Sequence, residues 1–125
     1  MLIQGLAALS IALTAGTIET DSDKCGTFTV EYVGGDEWPF NRITKTANPA
    51  LAARFPDGSR AIFVNVDDAE DQSEADLDMW IAHERSHLDA WCDHGFEIEE
   101  HGQEFRRACR KRVTRRASYF CKGYF

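Results

Sequence analysis

Two stretches of the chain carry the pattern of β-strands. In "GTFTVEYVGG" (residues 26–35) apolar and polar side chains alternate until two glycines end the pattern, which predicts a half-buried strand. "SRAIFVNVDD" contains a short β-branched run, residues 61–66, closed by acids, which predicts a second strand. The residues between them are rich in turn formers, and "NPALAARF" there predicts one or two helical turns with Asn48 as the cap.

Helical periodicity dominates the second half of the chain. Ser73 is the predicted N-cap of a helix that begins at Glu74 and ends near Cys92, and Gly95 is placed to end this segment. Its apolar residues recur at helical spacing: Leu77, Trp80, Ile81, Leu88 and Trp91. A last helix begins near Gly102 and runs through "QEFRRACRKRVTRRAS". The order strand, strand, helix, helix predicts a small α+β domain whose short sheet packs against these two helices.

The first residues predict export. Of the 125 residues, 43% are hydrophobic and 28% charged, which is typical of one soluble globular domain. The start is apolar, has no acid before Glu19 and no base before Lys24, and is too short to span a bilayer comfortably. It resembles a signal peptide with small residues at the cleavage point, so we interpret residues 1–17 as the signal and residues 18–125 as the domain. The alternative is a buried first helix or strand of the domain.

Four cysteines, all beyond the predicted signal, favour the same compartment: Cys25, Cys92, Cys109 and Cys121. An even number in a short exported chain predicts two disulfides, with three pairings that the sequence leaves open. We therefore expect a secreted or periplasmic protein without a membrane span in the mature chain. If there is no signal, the chain is cytoplasmic and its cysteines are buried free thiols.

Charge is unevenly distributed along the chain. The net charge is −7, yet the last 23 residues hold eight bases against one acid: Arg106, Arg107, Arg110, Lys111, Arg112, Arg115, Arg116 and Lys122. Such a segment could contact nucleic acid, anionic lipid or the acidic part of its own fold. The interpretation that we favour is a solvated helix face, with no nucleic-acid partner.

The strongest chemical signal is "HERSH", in which His83, Glu84 and His87 have the spacing H-E-x-x-H. Residues four apart lie on the same face of a helix, so both imidazoles could reach one metal ion. A glutamate beside the first histidine could then take a proton from a water that zinc makes acidic. The pattern predicts a site for one zinc ion, with Glu84 as the general base.

Three residues are candidates for the third ligand. Asp93 lies six residues after His87, the spacing of a class that also requires a glycine three residues after the second histidine, and here that position is Ala90. His94 has the same difficulty, because both lie in continuing helix. His101 comes after the predicted helix end and can return to the metal from a second element. We therefore predict His101.

Together, "HERSH" and the downstream "EHGQEFRRAC" resemble the SprT-like zinc metallopeptidases, over roughly residues 58–112. The resemblance implies a zincin-like fold, one zinc ion held by His83, His87 and His101, and hydrolysis of a peptide or protein substrate. Several members of the family act on proteins attached to DNA, but a predicted signal and the lack of a zinc ribbon argue against that role here. In zincin-like peptidases the strand before the active-site helix commonly binds extended substrate through its edge. Here that strand could comprise Ala61, Ile62, Phe63, Val64, Asn65 and Val66. The alternative for the same residues, which the sequence favours equally, is a buried strand without a role in binding.

Three alternative functions remain at this stage. The first is a zinc-binding interaction module without proteolysis. The second is an intracellular, nucleic-acid-associated peptidase that uses the basic helix. The third is a peptidase that acts on cell-wall cross-links, which shares the chemistry and differs only in substrate.

Overall fold

A computed structural model describes residues 14–43 and 49–122. These described residues form four strands and four helices: β1 (Ile18–Asp23), β2 (Gly26–Val33), β3 (Ala50–Arg54), β4 (Arg60–Asn65), α1 (Val66–Ala69), α2 (Glu74–His94), α3 (Gln103–Arg112) and α4 (Ala117–Phe120). A short 3₁₀ helix, Phe40–Arg42, precedes β3. The predicted α+β class, a short sheet packed against helices, is confirmed.

The four strands form one sheet in the order β1-β2-β4-β3. β2 and β4 are parallel, whereas the β1–β2 and β3–β4 pairs are antiparallel. All six residues of β4 are buried, as expected of an apolar strand with neighbours on both sides. β1 and β3 are therefore the edges of the sheet.

Two strands lie where the sequence predicted none. β1 has the sequence IETDSD and is almost entirely exposed, so it lacks the apolar alternation from which a strand is recognised. β3 has the sequence ALAAR, which favours a helix by propensity, and the predicted helical turns there are wrong. Pairing with β4 overrides that propensity. The predicted Asn48 cap lies outside the described residues.

The predicted ends of the long helix are confirmed, and the end of the last helix is not. The Ser73 hydroxyl accepts a hydrogen bond from the Asp76 N–H at 3.1 Å, and Gly95, with φ of 82°, follows the last residue of α2. α3 ends before Val113, and the chain turns through Arg116 at a φ of 50° into α4. The C-terminal segment thus folds back as a second, short helix.

α2 lies between two apolar clusters. One joins it to the sheet through residues that include Phe28, Ile62, Val64, Leu77 and Leu88. The other joins it to α3 and α4 and comprises Trp80, Phe105, Cys109, Val113, Phe120 and Cys121. The helix is therefore held on two sides, which makes it a rigid support for a site.

All four cysteines pair, as predicted: Cys25 with Cys92, and Cys109 with Cys121. The first bridge joins the β1–β2 turn to the last turn of α2. The second joins α3 to the residue that follows α4. Disulfides persist in oxidising compartments, so both bridges are compatible with a secreted or periplasmic protein.

The predicted signal falls mostly outside the described residues. Two of its last positions, Gly16 and Thr17, form backbone hydrogen bonds with Tyr32 of β2 at 2.8 and 2.9 Å. Over the ranges 14–43 and 49–122, no helix has the length and apolar character needed to span a membrane.

Part of the basic C-terminal segment contacts the acidic face of the same chain. Arg112 forms two hydrogen bonds with the Asp89 carboxylate, and Arg115 pairs with Asp76 at 2.9 Å. Both acids belong to α2, so these pairs join the C-terminal segment to that helix.

Candidate metal centre

Three histidines converge between α2 and the loop before α3. His83 and His87 lie one turn apart on α2, and His101 comes from the loop. Their ring centroids are 4.8 to 5.4 Å apart. One ring nitrogen from each lies within 4.8 Å of the others, so the buried group could hold a single metal ion. The structure thus brings together the three histidines that the sequence predicted as ligands, with His101 as the third.

The loop geometry explains why His101 reaches the other two rings. Gly95 ends α2 at a positive φ of 82°, which glycine adopts without steric cost. Gly102 packs against the preceding turn, where an added Cβ would lie 2.9 Å from the Cβ of Glu99. A larger residue at Gly102 would displace the turn, so the glycine after His101 maintains the position of that ring.

His83 is fixed by a contact that the sequence did not indicate. Its Nδ1 lies 2.6 Å from the carbonyl oxygen of Phe120. Because a carbonyl oxygen only accepts, Nδ1 carries the proton, and the lone pair of Nε2 is left for the cluster. Metal-ligating histidines commonly have such a second partner, which sets the ring orientation and the basicity of the ligand. A backbone carbonyl has no side-chain signature, so nothing in the sequence could have revealed it.

Two aromatic side chains enclose the ring of His87. Phe105 of α3 stacks on one face at a centroid distance of 4.2 Å, and Trp91 of α2 lies at 5.8 Å in a near-parallel plane. Phe105 also contacts the rings of His83 and His101, at 4.8 and 5.0 Å. These contacts restrict the rings to one arrangement and reduce the access of water.

Burial keeps the histidines neutral. Desolvation lowers the pKa of His83 to about 4 and that of His87 to about 2, and it also lowers the pKa of His101. A neutral imidazole is the form that binds a metal ion. At neutral pH the cluster therefore presents three lone pairs without first losing protons.

Glu84 lies beside the cluster on the sheet side of α2. Its side chain is 4% exposed, and one carboxylate oxygen is 3.7 Å from Nε2 of His83. Burial raises the pKa of the Glu84 carboxyl well above its usual range, while a hydrogen bond from the Ala52 N–H opposes the rise. The result is a carboxylate of enhanced basicity next to the nitrogen that faces the cluster.

Neither alternative ligand joins the three rings. Asp93 is exposed and pairs with Lys24, and His94 is the last residue of α2. Both line a separate cavity of about 360 Å³, which none of the three histidines lines. Cys25 is also unavailable as a ligand, because it is bonded to Cys92.

The strand that the sequence predicted to bind substrate through its edge is not an edge strand. Residues Ala61 to Asn65 lie in β4, which is paired with β2 on one side and β3 on the other, and Val66 begins α1. The backbone groups of β4 are therefore occupied by the sheet. The strand edge nearest the cluster is β3, whose Ala52 N–H points to Glu84. The bonds Phe55 N–H to Ser59 and Asn65 N–H to Pro49 show that alternate residues of β3 face β4, so the intervening Ala50, Ala52 and Arg54 direct their backbone groups outward.

Comparisons with protein-family models, with curated proteins and with solved structures gave no match to this chain.

Proposed function

We propose that this protein is a zinc metallopeptidase. The supporting observation is the convergence of three neutral histidine rings beside the buried carboxyl group of Glu84, whose pKa burial raises. Three imidazoles suit zinc, and catalytic zinc sites commonly use three protein ligands and keep one position open. Zinc bound there would lower the pKa of a water molecule and polarise the carbonyl of the scissile bond.

Glu84 is the general base of the proposed reaction. Its carboxylate is buried and held by the Ala52 N–H, so it has one fixed position next to His83. Its enhanced basicity suits it to accept a proton from the attacking water, and it then passes that proton to the nitrogen of the leaving amine. His83, His87 and His101 hold the metal, and the Phe120 carbonyl orients His83.

The substrate in this proposal is an extended peptide that lies along β3. Among the described residues, β3 pairs only with β4. Of its outward residues, Ala50 is buried and the Ala52 N–H is taken by Glu84, so a peptide would bind the remaining outward groups of Ala52 and Arg54. Addition of a strand to such an edge supplies main-chain hydrogen bonds that do not depend on substrate sequence. The Ala52 N–H is already bonded to Glu84, so a peptide bound there would pass directly beside the general base.

The sequence resemblance bears on the family of the proposed enzyme, and the disulfides bear on its compartment. The convergence of "HERSH" with His101 of "EHGQEF" is the arrangement that membership of the SprT-like family would require, and it supports that assignment and a zincin-like fold. Two disulfides favour an exported enzyme over an intracellular one that acts near DNA.

The assignment of the three metal ligands is tested by measuring zinc content and zinc affinity in three purified proteins: the wild type, His101→Ala and Asp93→Ala. We expect about one zinc per chain in the wild type and in Asp93→Ala. Loss of a ligand should weaken binding by more than the roughly 100-fold reached by changes around a site, so His101→Ala should lose its zinc. Zinc loss from Asp93→Ala, with retention in His101→Ala, would place the ligand elsewhere and refute the three-histidine site.

The chemistry is tested by Glu84→Gln, which keeps the side-chain shape and removes the base. We expect its zinc content to be unchanged and its peptide turnover to fall by roughly 10²- to 10⁴-fold. Turnover is measured on mixed peptide pools and on cross-linked cell-wall peptides, which separates these two substrate classes. A wild type that binds zinc and cleaves neither class is a non-catalytic zinc-binding module.

A further inference from the structure

Arg54 is the last residue of β3 and lies close to the proposed general base. Side chains alternate along a strand, so Arg54 lies on the same face of the sheet as Ala52 and Ala50, and both alanines pack on the α2 side. The backbone of Ala52 contacts Glu84. Two residues of extended chain span about 7 Å, so Arg54 lies one short step along the edge from the general base.

Arg54 is also connected to the proposed metal centre through contacts between side chains. Its guanidinium carbon lies 4.9 Å from the centre of the Trp91 ring and 4.5 Å from that of Phe96. Trp91 in turn stacks on His87. A single indole ring therefore separates the guanidinium from the ring of a proposed zinc ligand.

The charge of Arg54 is not neutralised within the described part of the chain. Arg60, its partner in the β3–β4 register, binds the Asp23 carboxylate through two hydrogen bonds of 2.8 Å, and Arg85 pairs with Asp21 at 3.1 Å. The ion pairs among residues 14–43 and 49–122 do not include Arg54. Its side chain is exposed, and two aromatic rings contact it in place of an acid.

This combination is suited to recognising a carboxylate. Aromatic rings hold a guanidinium through its planar face. Its N–H groups point along the edge of that plane and fit both oxygens of a carboxylate in a bidentate pair. The two rings reduce the rotamer freedom that an exposed arginine would lose on binding.

We propose that Arg54 determines specificity by binding a carboxylate of the substrate, two or three residues from the scissile bond. The carboxylate comes from an acidic side chain or from the C-terminus of the peptide, since both present the same two oxygens. This inference rests on the proposed function, because it assumes that peptides lie along β3.

The rival role for Arg54 is structural: it would only clamp Phe96 against Trp91. Loss of a clamp would impair every substrate to the same extent. Loss of a specificity residue would impair acidic substrates alone, so the discriminating readout is the ratio of kcat/KM between matched peptides.

The test uses the zinc-loaded full chain and internally quenched octapeptide pools. One capped set carries Glu at each position in turn, a second carries Gln there, and a third has Gln and a free C-terminal carboxylate. The proteins compared are the wild type, Arg54→Gln, Arg54→Lys and Arg110→Gln. Arg110 is an exposed arginine of α3, so the last variant is a control with the same change in charge.

We expect the wild type to prefer one carboxylate-bearing set by roughly 10- to 100-fold in kcat/KM, the range for a hydrogen-bonded charged group. Which set is preferred identifies the source of the carboxylate. Arg54→Gln should remove the preference and leave turnover of the capped Gln set within about twofold, whereas Arg54→Lys should retain part of it. Arg110→Gln should match the wild type. If the wild type cleaves the peptides, a preference that is absent, that survives in Arg54→Gln, or that is lost together with all turnover would overturn the proposal.

Failure of the peptidase proposal is distinguished by binding. The same peptides, labelled for fluorescence anisotropy, are titrated into zinc-loaded Glu84→Gln with and without Arg54→Gln. If the wild type cleaves nothing but a carboxylate preference in binding depends on Arg54, the inference about Arg54 stands and the peptidase proposal fails. If binding shows no such preference, Arg54 does not read the peptide.

Discussion

The two disulfides differ in how far apart in sequence their cysteines lie and in how deeply they are buried. Cys25–Cys92 joins residues 67 apart in sequence, and its Cys25 is exposed. Cys109–Cys121 joins residues only 12 apart and is buried, with Cys109 at 0% exposure. Phe120, whose carbonyl accepts the hydrogen bond of His83, is the neighbour of Cys121.

This difference suggests that the bridges have different tasks. The long-range bridge ties the β1–β2 turn to the end of α2, where Cys92 lines the cavity that none of the three histidines lines. The short-range bridge anchors α4 against α3, and with it the Phe120 carbonyl that orients His83, a proposed metal ligand. One bridge should govern mainly stability, and the other should govern mainly the metal centre.

The largest effect that we expect is on stability, in Cys25→Ala/Cys92→Ala. Chain-entropy arguments assign a bridge over 67 residues about 4 kcal/mol of the free energy of unfolding. Urea denaturation of the zinc-free protein measures this loss. Zinc affinity of the folded variant, measured by competition with a chelator, should stay within about threefold of the wild type. A tenfold or greater loss of zinc affinity in this variant would contradict the proposal that this bridge governs mainly stability.

The matched variant Cys109→Ala/Cys121→Ala should reverse the pattern. A bridge over 12 residues contributes about 3 kcal/mol by the same argument, a smaller loss of stability. Release of Phe120 frees the His83 ring, and changes to the second partner of a ligand commonly weaken metal binding by about 10- to 100-fold. Equal zinc affinities in the two double variants would show that the Phe120 carbonyl is not what orders His83.

Features that depend on local spacing could be predicted from the sequence, whereas features that depend on contacts between distant residues could not. Local helical spacing brings His83, Glu84 and His87 to one face of α2, and Gly95 marks where the chain can return with His101. The grouping of the three histidines could therefore be predicted from the sequence. β3 was missed because its alanines favour a helix, and only pairing with β4 makes it a strand. The Phe120 carbonyl and the disulfide pairing depend on how α4 folds back. Such contacts between distant residues leave no periodic pattern in the chain.

The smallest expected effect concerns pH, and it tests whether the cluster is as enclosed as its contacts indicate. A protonated imidazole cannot bind metal, so a lowered pKa keeps the binding form present at lower pH. Three histidines with the ordinary pKa would lose roughly 50-fold in metal affinity between pH 7.5 and 6.0. With the pKa of His83 at about 4 and that of His87 at about 2, we expect the wild type to lose less than about fivefold.

The two double variants should differ in how their metal affinity depends on pH. Opening the C-terminal segment in Cys109→Ala/Cys121→Ala should hydrate His83 and move its pKa back toward the ordinary value, because burial is the main cause of the shift. The affinity of that variant should therefore fall more steeply between pH 7.5 and 6.0. Cys25→Ala/Cys92→Ala should keep the shallow profile of the wild type, since its bridge does not enclose the rings. If the wild type itself showed the steep profile, the rings would be more open to water than their aromatic contacts imply.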